Sequence, residues 1–364
     1  MEACPPDMVL EILSWASLKE LDRCKLVSRS WNSLVYDSTF NRLHCQRTSA
    51  VFGFFVQNLV SNTHSSEFVA MDQSRPVINL SLDFLPRPVK IEASTNHGLL
   101  CCTDQDRGST FYVCKPSTRQ WRSLPSPKMR YFTGNVAMAV LRSDPLRFKI
   151  LRLCKNYRSS SCHYYNNFQC EIFDSDTWAW REQDDVLLPP DAVLLGGEPA
   201  AAAAGAVHWL MSNNHVFAFD MDKESYSVFP LPKPVVAEED EFRFRAKQLA
   251  VYKGRLAFIC GAAGHEDDLK VWEMEDYYKK RAWTRREALS VRALRAAGVD
   301  VPEPRCVGFC NADVAVVKGV GSVIFYRFGD ASFSEVKLNH HLGPRQVFPF
   351  RSDSDPIVFK ATVS

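Results

Sequence analysis

The stretch from Cys4 to His44, CPPDMVLEILSWASLKELDRCKLVSRSWNSLVYDSTFNRLH, decides how the chain begins to fold. Two prolines stop the incoming chain just before Asp7, a residue type that can cap the start of a helix. Apolar residues then recur at steps of three and four, which is the spacing of one helix face. This face consists of Met8, Val9, Ile12, Leu13 and Ala16.

A second helix is predicted after Ser17, because Ser17-Leu18-Lys19-Glu20 has the pattern of a capping box. Its inward residues are Leu18, Leu21 and Cys24. The apolar face continues into a third helix, and the unit closes at Phe40 and Leu43. About forty residues in three short helices lie at the lower limit of what a core can stabilise unaided. The third helix contributes Val27, Trp31 and Leu34 to the face.

These helices carry more apolar surface than three short helices can bury among themselves. One interpretation is that a separate protein covers the remainder. The other is that the helices form a cap lying on the domain that follows. Spacing alone does not choose between the two interpretations.

The same stretch resembles an F-box. The family pattern has Leu-Pro, then Glu-Ile-Leu, then a Val-Cys-Lys-x-Trp segment. This sequence departs from it at Cys4 in place of the first leucine, at Ser17 in place of a proline, and at Ser28 in place of the cysteine. The matching residues are Pro5, Glu11-Ile12-Leu13, Leu18, Leu21, Val27-Ser28-Arg29-Ser30-Trp31, Leu34 and the ending from Phe40 to His44.

The resemblance implies that residues 1–48 dock on the Skp-family adaptor of a cullin-based ubiquitin ligase, and that residues 49–364 bind the protein to be ubiquitinated. Some of the matching residues must instead belong to the internal core, and the sequence does not sort them. The adaptor-binding residues implied are Pro5, Met8, Val9, Ile12, Leu13, Leu18, Leu21, Val27, Trp31 and Leu34.

Composition excludes several classes of protein. A net charge of +2 gives no electrostatic reason to expect nucleic acid or an acidic membrane as partner. We find neither a signal peptide nor an apolar run near eighteen residues, so we expect no membrane span. Twelve cysteines in an unsecreted chain indicate reduced thiols in the cytoplasm or nucleus. The Ala200–Ala204 run is interpreted as a loop expansion.

From Val51 onward, strand-like runs of five or six residues alternate with turn residues, which indicates a sandwich, barrel or propeller. Asp276–Ala297 is rich in helix formers, although a strand through Ala282–Thr284 is an alternative prediction there.

An internal repeat distinguishes among these β folds. In each copy a marker residue at the end of a strand is followed by a turn. A large residue, which we expect to be a core position, stands seven positions after the marker. The pairs are Cys114 and Trp121, Phe173 and Trp180, Phe219 and Tyr226, and Tyr326 and Phe333; Met71 with Ile78 is weaker, and Met274 with Trp283 has a two-residue insertion.

The repeat recurs at intervals of 43 to 59 residues, near the kelch-like period of about fifty. Six copies predict a mainly β chain: a kelch-like β-propeller of six blades behind the helical F-box. The strand-like run 356–360 is predicted to close the ring, because a closed ring leaves no open edge. Seven blades remain the alternative, since Val347–Phe350 is also strand-like.

Two pairs of sequence segments resemble the F-box-associated, kelch-like domain of plant F-box proteins. The resemblance is strong to residue 232 and weaker after it, and it implies a substrate-recognition domain. The pairs are His97–Cys101 with Val113–Pro125, and Gly205–Leu210 with Phe219–Asp220 and Phe229–Pro232.

No catalytic set is found, and we expect neither a cofactor nor a metal. Gly-rich phosphate loops and nucleophile elbows are absent from the sequence. Cys162-His163 lacks the spacing of a zinc site, and His208 beside a tryptophan favours a structural histidine. Substrate is expected at loops of one propeller face, at residues that the sequence does not identify. The alternatives are a propeller that binds glycans or small ligands, for which exposed central tryptophans would argue, and a scaffold or transcriptional partner outside any ligase.

Overall fold

Four short helices open the chain and a ring of small β-sheets follows them. The computed structural model describes residues 5–71, 80–105, 110–155, 167–190, 192–233, 244–262, 268–301, 304–339 and 346–359. The first four helices are called the helical unit here. They are α1 (Pro6–Leu13), α2 (Leu18–Cys24), α3 (Arg29–Leu34) and α4 (Ser38–Arg47).

Local side-chain caps explain where these helices begin. The predicted capping box forms, since Ser17 accepts from the Glu20 amide and the Glu20 carboxylate accepts from the Ser17 amide. Ser28 caps α3 through the Trp31 amide. Asp37 accepts from the Thr39 and Phe40 amides and starts α4, so the unit has four helices rather than the predicted three. Asp7 does not cap α1, which begins at Pro6.

Six antiparallel sheets follow as the blades of a propeller. Each of blades 2 to 6 is a meander of four strands in sequence order. Blade 1 contains β1 (Val51–Val60) and β2 (Thr63–Ala70). Blades 2 and 3 contain β3 (Val89–Ser94), β4 (Leu100–Asp104), β5 (Phe111–Lys115), β6 (Gln120–Ser123), β7 (Phe132–Ser143), β8 (Leu146–Lys155), β9 (Asn167–Asp174) and β10 (Ala179–Leu187).

The remaining blades have the same order of strands. Blade 4 contains β11 (Ala201–Ala203), β12 (Ala206–Leu210), β13 (His215–Asp220) and β14 (Ser225–Pro230). Blade 5 contains β15 (Phe244–Tyr252), β16 (Arg255–Ala262), β17 (Asp268–Met274) and β18 (Trp283–Ser290). A short helix, α5 (Val291–Ala296), leads into blade 6, which contains β19 (Arg305–Phe309), β20 (Val314–Gly319), β21 (Ser322–Arg327) and β22 (Phe333–Lys337).

The last strand, β23 (Gln346–Ser352), closes the ring by pairing with β1 in blade 1. This confirms six blades. It also corrects the predicted closing segment, because the strand-like run at Val347–Phe350, which suggested a seventh blade, is the closing strand itself. The described part of the run predicted to close the ring, residues 356–359, contains no strand.

The strand pairing in the structure confirms the predicted repeat. In the four main copies the marker residue and the large residue seven positions on are direct cross-strand partners on the two outer strands. Met274 and Trp283 pair in the same way despite their insertion, whereas Ile78 lies outside the described residues. The four pairs are Cys114 with Trp121, Phe173 with Trp180, Phe219 with Tyr226, and Tyr326 with Phe333.

Equivalent register does not give equivalent burial, and the expectation of four core positions was wrong. Trp180 is only 3% exposed, whereas Trp121 and Tyr226 are 40% and 39% exposed. The outermost strand of a blade is flanked by a neighbouring blade only along part of its length. Trp180 is covered because its ring packs against Phe111 of blade 2 at 5.3 Å.

Two other segments differ from their predicted structure. The alanine run is not a loop expansion, since Ala201–Ala203 forms the innermost strand of blade 4. Innermost strands converge at the axis, so small side chains fit there. The segment Asp276–Ala297 consists of a turn, strand β18 and then the six-residue helix α5, so only α5 matches its helix-forming composition.

Hydrophobic clusters lie between neighbouring blades and join them all the way round the ring. Blades 6 and 1, which are remote in sequence, share one of these clusters through residues such as Phe54 and Phe325. The other clusters join blades 1 and 2, 2 and 3, 3 and 4, 4 and 5, and 5 and 6. Each blade is therefore stabilised by both of its neighbours.

The difference in burial predicts unequal losses from the same kind of truncation. Trp180→Ala should lower the free energy of unfolding by about 3–5 kcal/mol, because it leaves a cavity between blades 2 and 3. Trp121→Ala should cost only about 1–2 kcal/mol, because much of its ring already contacts water. Urea denaturation of the full chain measures both losses, and equal losses would contradict the burial difference.

Candidate protein-interaction site

The helical unit has its own small core, formed where its four helices meet the start of β1. Leu21 and Phe40 are fully buried at its centre, and Phe52 of β1 packs against it. Arg47 of α4 holds α1 in place, because its Nη1 lies 2.9 Å from the Glu11 carboxylate and 2.5 Å from the Ser14 hydroxyl.

His44 provides a second link inside the unit. Its Nε2 lies 2.8 Å from the backbone oxygen of Ala16, to which a neutral ring can donate. Burial lowers the pKa of His44 to about 4, and the hydrogen bond to Ala16 only partly offsets this. The imidazole is therefore neutral at physiological pH and serves as a structural group.

Several large apolar side chains of the unit face solvent rather than this core. Met8, Ile12 and Trp15 follow the i, i+4, i+7 spacing of one helix face. Leu26 and Val27 occupy the connection between α2 and α3. These five side chains, called the apolar patch here, are between 55% and 86% exposed.

The structure sorts the predicted adaptor-binding residues into three groups. Pro5, Met8, Ile12 and Val27 are exposed. Trp31 and Leu34 are half-buried against the core of the unit. The buried members are core residues whose side chains are not available to a partner in this conformation: Val9, Leu13, Leu18 and Leu21.

Two residues of the apolar patch, Trp15 and Leu26, were missed by the sequence reasoning. Trp15 lies three residues after Ile12 and so continues the face of Met8 and Ile12 just beyond the end of α1. This spacing was a usable signal for Trp15. Leu26 has no such signal, because it stands in a turn where helical spacing does not apply.

The opposite side of the helical unit rests on the propeller. Tyr36 is the centre of this contact, because its backbone oxygen accepts from the Ala312 amide at 2.8 Å. A Cβ added at Gly254 would lie 2.3 Å from the Tyr36 hydroxyl oxygen, so the tyrosine lies directly against that turn. This contact supports the interpretation of the helices as a cap on the domain that follows, while the apolar patch on the other side of the unit stays exposed.

A hydrogen bond between side chains strengthens the same contact. His97, in the turn between β3 and β4, places its Nε2 2.8 Å from Asp22 of α2, and Lys25 binds the other carboxylate oxygen of Asp22 at 2.9 Å. Burial raises the pKa of Asp22, but the hydrogen bonds and charges of His97 and Lys25 outweigh it and hold that pKa well below its usual range. Asp22 is therefore ionised at physiological pH.

All of these contacts reach one face of the propeller. They use turns between the first and second strands of blades, namely those at His97, Gly254 and Ala312. In an antiparallel meander the first and third turns lie on one side, while the second turn and the connection to the next blade lie on the other. We call the first side the covered face and the second side the open face.

The segment that follows β23 also crosses the covered face. The buried Lys115 binds the Asp353 carboxylate, and it donates to the Asp355 backbone oxygen at 2.7 Å. Gln120 holds Ile357 through two hydrogen bonds, and Phe359 packs against Trp178 of blade 3. This explains why the run predicted as a closing strand is apolar: its side chains fasten it across two blades.

His208, a residue of a type used in catalysis, has a structural role. His208 is fully buried, with Nδ1 2.9 Å from the Ala201 backbone oxygen and Nε2 2.8 Å from the Tyr277 hydroxyl. Burial lowers its pKa to about 4, so it is neutral. Within the described ranges no group of three or more His, Cys, Asp and Glu side chains is arranged to hold a metal ion. Cys162-His163 lies outside those ranges.

Comparison with known proteins agrees with this architecture. Residues 48–305 match the family model described as the F-box associated beta propeller domain, and residues 2–47 match the F-box-like model. The chain belongs to the F-box associated beta propeller family. The helical unit is thus the F-box of this protein, and residues from β1 onward form the propeller.

Named relatives in Arabidopsis thaliana support the same assignment. The F-box protein At5g49610 is 29% identical over 306 residues, which cover 80% of each chain. The F-box protein At5g41720 is 34% identical over 191 residues, which cover 50% of this chain and 90% of the relative. The family is characterised by its F-box and propeller, and the matches indicate no catalytic activity. No helix in the described ranges is long and apolar enough to cross a membrane.

The contact between Tyr36 and Gly254 leads to a matched pair of variants. Gly254 (φ +75°) and Gly205 (φ +72°) occupy equivalent turns, each preceded by a residue of positive φ. Alanine at either position adds about 1 kcal/mol of backbone strain. Only Gly254→Ala should also displace Tyr36, because nothing lies within 4 Å of a Cβ at Gly205.

The amide of Ala312, which donates to Tyr36, reports on this displacement. Its hydrogen–deuterium exchange should accelerate about tenfold or more in Gly254→Ala. It should stay near the wild-type rate in Gly205→Ala. Equal exchange in the two variants would contradict the docking of the F-box through Tyr36.

Proposed function

We propose that this protein is a substrate-recognition subunit of a Skp–cullin–F-box ubiquitin ligase. The observation that carries the proposal is the apolar patch on α1 and on the α2–α3 connection. The F-box uses its other side to contact the propeller, so these exposed side chains remain available to an adaptor. F-boxes generally bind Skp-family adaptors, and an adaptor covering this patch would bury side chains that water solvates poorly.

The proposed mechanism is positional. The chain supplies no bond-making group in this reaction. It holds a substrate lysine close to the charged ubiquitin-conjugating enzyme and so raises the effective concentration of the two reacting groups. The F-box lies on the covered face through Tyr36 and Asp22, which gives the substrate domain a defined orientation relative to the ligase.

A double variant tests the adaptor contact. Ile12→Ala with Val27→Ala removes two exposed side chains without opening a cavity, because neither belongs to the core. We expect a loss of about 2–3 kcal/mol, or roughly a 30- to 150-fold weaker adaptor affinity, as measured by isothermal titration with purified Skp adaptor.

Leu187→Ala is the matched control, since Leu187 is 62% exposed on blade 3 and Ile12 is 61% exposed on α1. The control should bind adaptor with wild-type affinity. Unchanged affinity in the double variant would place the adaptor contact elsewhere and remove the main support for the ligase role.

We further propose that substrate binds the open face. The F-box and the C-terminal segment occupy much of the covered face, whereas no hydrogen bond or ion pair found between the F-box and the propeller in the described residues comes from an interblade connection of the open face. One of these connections, 124–131, carries Lys128 and Arg130 as exposed cations and leads to Phe132, which is 63% exposed.

This connection is held rigidly from below by a buried ion pair. Arg152 and Glu171 lie 2.5 Å apart beneath it. Arg152 donates to the backbone oxygens of Met129 and Tyr131, and Glu171 accepts from the Met129 amide. Rigid presentation of a loop lowers the entropy that binding must overcome, and this favours 124–131 as a contact for substrate.

Charge reversal on each face separates the two possibilities. Lys128→Glu with Arg130→Glu should remove substrates from the set of proteins that co-purifies with the full chain when the proteasome is inhibited. Lys279→Glu with Lys280→Glu changes two cations that are also exposed, in the third turn of blade 5 on the side of the covered face. This control should retain the substrates, and both variants should retain adaptor. Loss of substrate in the control alone would assign recognition to the covered face.

We place the protein in the cytoplasm or nucleus, where such ligases act. The ten cysteines in the described ranges are all free thiols, in keeping with a reducing compartment.

A further inference from the structure

A cavity of about 160 Å³ lies where the F-box meets the mouth of the propeller's central channel. Its walls come mainly from the innermost strands of five blades, from β1, and from F-box residues that include Lys25, Tyr36 and Asn41. Five aromatic side chains contribute to its lining, but none of them is a tryptophan, the residue whose exposure would have argued for glycan binding. It is also smaller than the pockets of about 300–1,000 Å³ that bind drug-sized ligands.

The charged side chains that line this cavity all have the same sign. Lys25, Lys253 and Arg351 contribute to its walls, and no aspartate or glutamate does. Lys25 is already paired with Asp22. Lys253 and Arg351 form no ion pair with any residue in the described ranges; each instead lies over an aromatic ring, Lys253 over Tyr252 at 4.9 Å and Arg351 over Phe52 at 4.3 Å.

Arg351 also has unused hydrogen-bond donors. Its Nε and Nη2 are buried and have no hydrogen-bond partner. These two nitrogens form one edge of the guanidinium group, whose parallel N–H bonds match two oxygens of an oxyanion. Buried donors of a charged group that lack partners cost free energy. An anion that binds this edge would therefore gain a large favourable binding free energy.

Asn41 adds the complementary group. Its Nδ2 donates to the Asp37 backbone oxygen at 2.9 Å, whereas its buried Oδ1 has no partner. A fully ionised oxyanion such as sulfate has no proton to offer this oxygen. Hydrogen phosphate carries one hydroxyl group and can satisfy both the guanidinium edge and the amide oxygen.

We propose that this cavity is an oxyanion site of the phosphate class, held by Arg351 and Lys253 of the propeller and completed by Asn41 of the F-box. One hydrogen phosphate and a few waters fit the volume, since a water occupies about 30 Å³ in the liquid. The bound anion would link groups from both parts of the chain and would fasten the F-box to the propeller. The proposal does not depend on the ligase role.

The test uses inorganic phosphate and the full chain. At pH 7 and equal ionic strength, sodium phosphate should raise the thermal unfolding midpoint above its value in sodium chloride, in a saturable way, because a ligand that binds only the folded state stabilises it. Sodium sulfate should give a smaller rise. In Arg351→Gln, isothermal titration should show a phosphate Kd raised about tenfold or more, because a charge-assisted pair of hydrogen bonds is lost.

Two further variants complete the design. Lys253→Gln alters a turn residue outside the core, so it keeps the test valid if Arg351→Gln fails to fold, and it should also weaken phosphate binding. Arg292→Gln changes an exposed arginine of α5 and should leave the phosphate effect intact. The proposal is overturned if phosphate and chloride give the same unfolding midpoint. It is also overturned if Arg351→Gln, or Lys253→Gln where Arg351→Gln does not fold, keeps the full rise in midpoint that phosphate causes. Equal gains from sulfate and phosphate would contradict the role of Asn41.

Discussion

The pairing of β23 with β1 is the constraint on which the rest of the structure depends. Seven consecutive residue pairs, from Val51 with Ser352 to Gln57 with Gln346, join the two ends of the propeller. Without them blade 1 would consist of β1 and β2 among the described strands, and the cluster between blades 6 and 1 would lose Val347. Because every blade is stabilised by both neighbours, an open ring would weaken the whole propeller.

Ring closure also fixes the position of the F-box. The chain enters β1 on the covered face, directly after α4, and β23 ends on the same face beside it. Arg351 therefore comes to lie over Phe52, next to the F-box, and the segment 353–359 continues across blades 2 and 3. One pairing of strands thus brings both ends of the propeller and the helices together, and it leaves the open face for other contacts.

The F-box packs on the propeller with one side and leaves apolar side chains exposed on the other. Val9 and Leu13 fill its core, while Met8 and Ile12 on the same helix face outward. Its remaining side rests on the propeller through Tyr36 and Asp22. A unit of this size has too little interior to bury all of its apolar residues, and the surplus lies on its outer surface as the apolar patch.

The sequence by itself determined the class of the fold, the F-box, the six-fold repeat and the pairing of Phe173 with Trp180, because all of these are encoded in spacing over a few residues. It did not determine which of Val347–Phe350 and 356–360 closes the ring, since both are short apolar runs and only long-range pairing with β1 distinguishes them. It also predicted the same burial for Trp121 and Trp180, and it assigned both Val9 and Ile12 to the adaptor-binding residues. Burial depends on which surface packs opposite a residue, and that surface comes from another blade or helix, so only the tertiary structure decided it.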